Sequence, residues 1–399
     1  MTTYWYRLYH FILKCIVVVV GIPSPKLYRG TSGLHCAIEQ LKLRSGTKVL
    51  VVSDHTLVKL GVVEAVLSAV RKHELVPVLY SDVDPNPTLS NVENGLSVYH
   101  QQHCHGIIAV GGGSVIDCAK FIGARVVRPK KSLAELKGLF KILRRLPPNI
   151  AIPTTAGTGS ETTVAAVVND PINKQKFAAT DLVLVPQHAV LLPELTLSLP
   201  PLITATTALD ALTHAIEALL SINCMQFSRE RALKACALIF DFLPQALQDG
   251  QNEHAREQLL LASHYAGQAF TRTSVGYVHA ISHQLSATYG TAHGLANSVL
   301  LLPVLRWYGE FAQPQLASIA TYCQMTSLDY PTAKQADDVL QRIEALLAQA
   351  QIPKSLPEIR SIDIGTLAKA ALAEAHPDYP VPVFMDESSC QQILTLVTH

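Results

Sequence analysis

The chain has 399 residues, of which 49% are hydrophobic and 16% are charged. This length suggests about two domains, and the apolar content excludes a disordered chain. The 32 basic and 31 acidic residues give a net charge of +1, which gives no reason to expect nucleic acid or a membrane as partner.

The first predicted element is the apolar stretch from Phe11 to Ile22, which only Lys14 interrupts. It is shorter than the roughly 20 residues that cross a bilayer. No small-residue cleavage site of a signal peptide follows it. The valine run at 17–20 is rich in β-branched side chains, so the stretch predicts a buried β-strand.

Strand and helix signals then alternate along the first half of the chain. Strands are predicted at 48–53, 76–80 and 106–110, helices at 56–72, at 89–102 and from Ser114, and a loop at 82–87. Apolar strands that alternate with helices indicate a parallel sheet covered on both faces.

The second half of the chain is predicted to be helical. Long helical patterns follow Pro200, at 203–221, 228–248, 253–271 and 277–289. The predicted fold class is therefore an α/β N-terminal domain at 1–199 plus an all-α C-terminal domain at 200–399.

Two loops of the first half have the composition of anion-binding sites. The segment GIIAV-GGGS-VID, at 106–117, is a strand, a glycine turn and a helix. Such a turn presents free N–H groups and the positive end of the helix dipole to a phosphate, although an ordinary βα turn has the same pattern. The segment IPTTAGTGSETT, at 152–163, adds hydroxyls and glycines after a second strand, and the two loops together favour a bound nucleotide.

A group of ionisable side chains on two predicted helices suggests a metal site. Asp210 and His214 are four residues apart and share a helix face, as do His279 and His283, and His293 follows ten residues later. Polar groups on apolar helices need partners when buried, and an aspartate with three histidines suits Fe²⁺, Zn²⁺, Co²⁺ or Ni²⁺.

Other histidines are interpreted as structural. The tract with His100, His103 and His105 has metal-like spacing, but it ends a predicted helix, where histidines favour the negative end of the dipole. His254 and His264 are interpreted as ordinary helix contacts. The eight cysteines are irregularly spaced without a C-x-x-C pair, which predicts free thiols in a reducing cytoplasm.

Five segments between about 45 and 310 resemble the iron-dependent, or group III, alcohol dehydrogenases. They are GGGSVID, IPTTAGTGSE, LTLSLP, TATTALDALTHAIEA and GYVHAISHQLSATYGTAHGLAN, in that order. The resemblance implies a dehydroquinate synthase-like fold, with a nucleotide-binding α/β domain followed by a helical metal-binding domain.

The resemblance also implies site residues. The metal, Fe²⁺ with Zn²⁺ as an alternative, would be held by Asp210, His214, His279 and His293, and His283 would be a catalytic proton relay rather than a ligand. The cofactor, NAD rather than NADP, would contact Asp54, Asn86, Gly113, Ser114, Thr154, Thr155, Thr158, Thr163 and Lys176.

Some positions depart from the family pattern. Ala208, Ser286 and Ala292 replace residues that are usually Gly, Gly and Pro, and the stretch from Tyr379 lacks the usual N-P-R ending. None of these changes removes a ligand, but they make the transfer of a substrate from known members unsafe.

The implied activity is hydride transfer between a small primary alcohol or aldehyde and a nicotinamide cofactor. The alternatives are a polyol dehydrogenase or another zinc enzyme on the same fold, a metal-dependent hydrolase, and a non-catalytic binding protein. The expected partners are the small-molecule substrate and a second copy in a homodimer, with neither nucleic acid nor a membrane.

Overall fold

The structure, a computed structural model, describes residues 2–42, 46–170 and 175–398. The chain divides into two compact units. Residues Ile22–Ser198 form the first, which we call the α/β unit, and Met1–Gly21 with Leu199–His399 form the second, which we call the helical unit. The predicted division at 199/200 therefore differs at the N-terminus, because the first 21 residues group with the helical unit.

The N-terminal stretch is a helix, α1 (Thr2–Val20), so the predicted β-strand is wrong. The preference of the valine run for strands is overridden by contacts with residues more than 200 positions away, such as the hydrogen bond from Asn223 Nδ2 to the His10 carbonyl. Within the described residues, Thr3–Val20 is the one segment long and apolar enough to cross a membrane, by length and composition alone.

The α/β unit has a six-stranded sheet in which all pairs are parallel, in the order β1-β9-β6-β4-β2-β3. A smaller sheet has the order β5-β8-β7. The elements are β1 (Lys26–Arg29), α2 (Gly30–Lys42), β2 (Lys48–Val52), α3 (His55–Lys59), α4 (Glu64–Lys72), β3 (Val76–Tyr80), α5 (Leu89–Gln101), β4 (Gly106–Gly111), α6 (Gly113–Val127), β5 (Gly138–Leu139), β6 (Asn149–Pro153), β7 (Ala165–Asp170), β8 (Gln175–Thr180) and β9 (His188–Leu191).

The inner strands of the large sheet lie in the middle of the α/β unit, because they are apolar on both faces. Every residue of β4 is buried, and two separate hydrophobic clusters pack against the sheet. Parallel strands buried in this way read as continuous apolar runs in the sequence, which is why β2 and β4 could be predicted, whereas β3 is a partly exposed edge strand whose apolar run is short.

The predicted single helix at 56–72 is wrong, because the chain turns between α3 and α4. Gly61 adopts a φ of +73° there, which glycine tolerates and a helix excludes. Leu57, Val63, Val66 and Val70 nevertheless belong to one buried cluster. Their shared burial produces the uninterrupted periodicity that suggested one helix.

The helical unit confirms the predicted all-α character of the second half. Its remaining elements are α7 (Pro201–Leu220), α8 (Gln226–Gln248), α9 (Glu253–Thr273), α10 (Tyr277–Tyr289), α11 (His293–Tyr308), α12 (Gln313–Tyr322), α13 (Thr332–Gln349), α14 (Ile364–Ala375) and α15 (Glu387–Leu396). The α7 helix is buried along nearly its whole length and packs against α8, α9 and α11.

Candidate metal centre and nucleotide loops

Three of the four predicted metal ligands converge in the helical unit. Asp210 lies on α7, His279 on α10 and His293 at the first position of α11. One ligand atom of each lies within 4.8 Å of the others, and no other group of three His, Cys, Asp or Glu residues in the described chain does so. Oδ1 of Asp210 is 3.5 Å from Nε2 of His279 and 3.4 Å from Nε2 of His293.

His214, the fourth predicted ligand, is adjacent but lies outside this group. Its Nδ1 is 3.9 Å from Oδ1 of Asp210, and its ring is stacked between Phe270 and His279, at 4.1 and 4.4 Å between centroids. His214 therefore lies beside the three convergent residues, with its Nδ1 on the side of Asp210.

The amide of Asn297 lies among the three convergent ligands. Its Nδ2 is 2.7 Å from Oδ1 of Asp210, 3.2 Å from Nε2 of His279 and 3.1 Å from Nε2 of His293. Asn297 is one helical turn after His293 on α11, and its side chain is fully buried. The amide therefore contacts the side-chain atoms of Asp210, His279 and His293 that would hold a divalent cation.

A buried carboxylate, Glu217, fixes the orientation of His279. Its Oε2 accepts from the Gly276 amide at 2.7 Å and is 2.6 Å from Nδ1 of His279, while Oε1 accepts from the Val278 amide at 2.8 Å. Glu217 thus satisfies free amides at the start of α10 and leaves Nε2 of His279 directed at Asp210.

The start of α11 is held close to α7 by a glycine. A Cβ on Gly294 would lie 2.5 Å from the Thr206 carbonyl oxygen, a distance that no side chain tolerates. His293 directly precedes Gly294, so this backbone contact helps to set the distance between His293 and Asp210.

The electrostatics of the centre favour a cation. Burial opposes charge on Asp210, but the neighbouring histidines outweigh it and hold the pKa of its carboxyl well below the usual value. Burial lowers the pKa of His214 to about 3 and lowers that of His293. Burial also disfavours the charged form of His279, but Glu217 and Asp210 raise its pKa to about 9.

The donor set fits a divalent metal of the iron or zinc type. It combines one carboxylate with imidazoles, as such ions prefer. Among the described residues, Nδ1 of His214 and Oδ1 of Asn297 are buried without a hydrogen-bond partner, and a bound cation would give the first of them a role.

His283 lies beside the centre and is more exposed than the ligands. Its ring stacks on that of His293 at 5.2 Å, and 40% of its side chain is solvent-accessible. Nδ1 of His283 is 2.6 Å from Oε1 of Glu374 on α14, which also accepts from the Tyr379 hydroxyl at 2.6 Å. Glu374 therefore holds the ring of His283 at Nδ1, and the rest of the ring is partly exposed to solvent.

In the α/β unit, the two predicted loops lie side by side. The glycine turn follows β4 and the Thr-rich loop follows β6, and these neighbouring strands end level, with Gly111 opposite Pro153. If residue 113 carried a Cβ atom, that atom would lie 2.9 Å from the Thr158 side chain. A Cβ atom on residue 112 would lie 3.4 Å from Oγ1 of Thr155. Close packing of the loops therefore favours glycine in this turn, most strongly at Gly113, although none of Gly111, Gly112 and Gly113 has a positive φ.

Asp54, Asn86 and Ser114 lie at the same edge of the sheet or in the loops beside it. Asp54 follows β2, and its Oδ1 accepts from the Leu57 amide at 2.9 Å, so it caps α3. Asn86 is exposed in the loop after β3, and the Ser114 hydroxyl donates to the neighbouring Pro85 carbonyl. Carboxyl ends of parallel strands are where α/β sheets bind ligands.

The remaining predicted cofactor residues differ in accessibility. Thr155 and Thr158 pack on the glycine turn, whereas Thr154 is 2% exposed and its amide donates to the Gly111 carbonyl. Thr163 is 6% exposed and its hydroxyl bonds to buried Lys120 at 2.8 Å, so it supports the loop from inside. Lys176 belongs to β8, but its side chain lies outside the described residues.

The histidines interpreted as structural form no metal group in the described chain. His100, His103 and His105 are exposed at and after the end of α5. His254 contacts the Phe242 ring, and His264 bonds to Gln268 within α9.

Sequence reasoning missed Glu217, Asn297 and Glu374. Glu217 is seven residues after Asp210 and Asn297 is four after His293, so both share a helix face with a ligand, and that spacing was available as a signal. Glu374 is 91 residues from His283, and no local pattern connects them.

Comparisons with known proteins agree with this arrangement. The sequence profile of the iron-containing alcohol dehydrogenases matches residues 24–193, and that of the C-terminal domain of the Fe-containing alcohol dehydrogenase family matches 204–397. The chain is 35% identical over 360 residues to 1,3-propanediol dehydrogenase of Citrobacter freundii, covering 89% of this chain and 92% of that protein.

Two further proteins show the same relationship. The chain is 33% identical over 337 residues to the NAD-dependent methanol dehydrogenase of Bacillus methanolicus, covering 84% of this chain and 88% of that protein. The crystal structure of a 1,3-propanediol oxidoreductase superposes with a TM-score of 0.90 at 33% identity, covering 94% of this chain and 98% of the other. The chain therefore belongs to the iron-containing alcohol dehydrogenase family, whose activity is that of metal-dependent oxidoreductases.

Proposed function

We propose that this protein oxidises a small primary alcohol, or reduces the corresponding aldehyde, with NAD⁺ or NADH as the hydride carrier. The observation that carries the proposal is the convergence of Asp210, His279 and His293, with Glu217 holding the middle histidine. The names of the relatives, which include a propanediol, a methanol and a lactaldehyde enzyme, support a short substrate.

We assign the metal to Asp210, His279 and His293, with the adjacent His214 as the fourth ligand. A divalent ion held there supplies Lewis acidity towards an alcohol oxygen. The chain would hold that ion with a carboxylate whose pKa is depressed and with imidazoles, of which His279 has its second nitrogen oriented by buried Glu217.

His283 is the proposed proton carrier of the reaction. It lies beside His293, and Glu374 binds its Nδ1, so its Nε2 is the nitrogen available for exchange. Its partial exposure lets that nitrogen pass a proton to solvent, and imidazole can both accept and donate a proton.

We assign the nicotinamide cofactor to the edge where β2, β4 and β6 end. The amides after Gly112 offer the start of α6 to a pyrophosphate, and Thr155 and Thr158 border this turn. Asp54 uses one oxygen to cap α3, and its second oxygen would accept from ribose hydroxyls of NAD and repel the 2′-phosphate of NADP. The proposed setting is the cytoplasm, with a homodimer as the assembly.

The test is a screen of primary alcohols and diols with NAD⁺ and NADP⁺, combined with metal analysis of purified protein. We expect wild-type protein to contain iron or zinc and to oxidise at least one primary alcohol. His279→Ala should lose both the metal and the activity while remaining folded, and exposed His103→Ala should keep both. Full metal occupancy and activity in His279→Ala would show that the metal assignment is wrong.

His283→Ala separates the proposed relay from a ligand. We expect this variant to retain its metal and to lose turnover number rather than substrate affinity, because His283 is outside the converging group. Loss of the metal in this variant would instead identify His283 as a ligand.

A further inference from the structure

The segment that joins α14 to α15 depends on other parts of the protein for its hydrogen bonds. We call residues 376–386 the proline segment, because they include Pro377, Pro380 and Pro382. A proline has no backbone N–H, so this segment has few donors of its own for its carbonyls. The Pro380 carbonyl accepts from the Ile222 amide at 2.8 Å, and α1 supplies donors for three further carbonyls of the segment.

Two side chains of α1 bind the proline segment at separate points. The Arg7 guanidinium donates to the Val381 and Pro382 carbonyls at 2.6 and 2.8 Å. His10 is fully buried, and its Nε2 bonds to the Pro377 carbonyl at 2.5 Å. Arg7 and His10 are three residues apart, so they share one face of α1 and hold the segment from the same side.

Aromatic side chains of α1 add to these contacts. The centroid of the Tyr6 ring lies 5.8 Å from that of His376 and 5.6 Å from that of Phe384. The Tyr9 hydroxyl donates to Oδ1 of Asp378 at 3.0 Å. The helix therefore contacts the proline segment along most of its length.

The proline segment in turn contacts the partner of the proposed proton carrier. The Tyr379 hydroxyl donates to Oε1 of Glu374 at 2.6 Å, and the same oxygen is 2.6 Å from Nδ1 of His283. Burial acts to raise the pKa of the Glu374 carboxyl, but the bonds from His283 and Tyr379 lower it overall. The place of this carboxylate, and with it the orientation of the His283 ring, therefore depends on where the segment puts Tyr379.

The family pattern does not account for this arrangement. The two family profiles match residues 24–193 and 204–397, so α1 lies outside both. The stretch from Tyr379, within the proline segment, lacks the usual N-P-R ending. An element outside the family profiles therefore supports a segment that departs from the family pattern.

We propose that α1 is a positioning element for the proton relay. Arg7 and His10 fix the proline segment, and that segment holds His283 in its orientation through Tyr379 and Glu374. The inference rests on the proposed function, in which His283 carries the proton. Arg7 and His10 are positioning residues, because they act on His283 only through other side chains.

The test begins with Arg7→Met in the full-length, metal-loaded protein, which removes the donors and keeps an unbranched side chain. We expect kcat to fall about tenfold, since misplacing a reacting group by about 1 Å can cost up to about 10²-fold. The KM for NAD⁺ should not change, because the nucleotide loops belong to the α/β unit. Arg7→Lys, which keeps a charged donor, should recover part of the loss. The matched control is Lys14→Met, at the other cation of α1, which should turn over like wild type.

Tyr379→Phe tests the same connection without changing α1. It deletes only the hydroxyl that donates to Glu374, so it keeps the packing of the ring and should also lower kcat at unchanged KM for NAD⁺. Circular dichroism establishes that each variant is folded. An unchanged kcat in folded Tyr379→Phe and Arg7→Met would overturn the proposal.

Combining Arg7→Met with His283→Ala separates this inference from the proposed function. If α1 acts through His283, Arg7→Met should cause no further loss of kcat in the His283→Ala background. Equal fold-losses in the two backgrounds would overturn the role of α1 and leave His283 as the proton carrier. Full turnover in His283→Ala alone would instead overturn the relay of the proposed function.

Hydrogen exchange gives a readout that does not depend on activity. Amides of the proline segment should exchange faster in Arg7→Met than in Lys14→Met, because the first variant releases the Val381 and Pro382 carbonyls. Equal exchange in the two variants would show that Arg7 does not fix the segment, and would overturn the proposal.

Discussion

Replacing Glu217 by glutamine removes one negative charge beside the metal centre while keeping the shape of the side chain. The carboxylate accepts three hydrogen bonds at 2.6–2.8 Å from donors on or before α10, and it is 3% exposed. An amide retains one oxygen and turns an NH₂ group towards a donor. At least one buried N–H then loses its acceptor, which costs about 1–3 kcal/mol of unfolding free energy.

The same change should weaken metal binding. Without the carboxylate, Nδ1 of His279 is no longer held by a charged acceptor, so the ring is less basic and less well oriented. Loss of such a partner reduces metal affinity about 10- to 100-fold, or roughly 1.4–2.7 kcal/mol.

The assay is competition for Zn²⁺ or Co²⁺ between metal-stripped protein and a chromophoric chelator, alongside urea unfolding of the same samples. Glu344→Gln is the matched control, because Glu344 pairs with Arg306 at the surface, where 55% of its side chain is exposed. Both quantities should be unchanged in that control. If Glu217→Gln bound metal as tightly as wild type and unfolded at the same urea concentration, Glu217 would have no part in positioning His279.

Three further predictions concern the α/β unit and the thiols. We expect wild type to prefer NAD⁺ over NADP⁺ by about tenfold in kcat/KM. Two variants should reduce this preference by improving activity with NADP⁺: Asp54→Asn, which keeps a cap for α3 but removes the charge, and Asp54→Gly. A wild type that prefers NADP⁺ would contradict the role of the charge. Lys120→Met should lower the free energy of unfolding by about 3–5 kcal/mol, since the buried Nζ binds Thr163 and Ala165 oxygens and lies 3.8 Å from the partly buried Asp117 carboxylate; an unchanged urea midpoint would show that this network is not stabilising. Cys15 and Cys36 are the exposed thiols, so a thiol reagent on native protein should label these two first, as peptide mapping would reveal.

The parts of the fold that sequence predicted are those in which local pattern and burial agree. The strand β4 is buried on both sides, so its apolar run is continuous, and the glycines after it are required by the neighbouring loop. The proposed ligands Asp210 and His279 could be picked out because helical spacing gives each a second ionisable residue on its face.

The parts that sequence did not predict depend on contacts between distant residues. The valines of α1 favour a strand locally, but Arg7 and His10 bind carbonyls more than 360 positions later and stabilise a helix. Glu374 contacts His283, and Tyr379 bonds to Glu374, from a stretch beyond the segments that carried the family resemblance in the sequence. The break between α3 and α4 was hidden because both helices bury the same face.

The contact of Gly294 with the Thr206 carbonyl has a consequence for how this enzyme can diverge. Because one helix contacts the backbone of another, this part of the spacing between His293 and Asp210 is set by main-chain atoms rather than by a replaceable side chain. Ala208, Ser286 and Ala292 differ from the family pattern, and none of their side chains takes part in this contact. A lineage can explore new substrates through such positions, while position 294 itself tolerates almost no replacement.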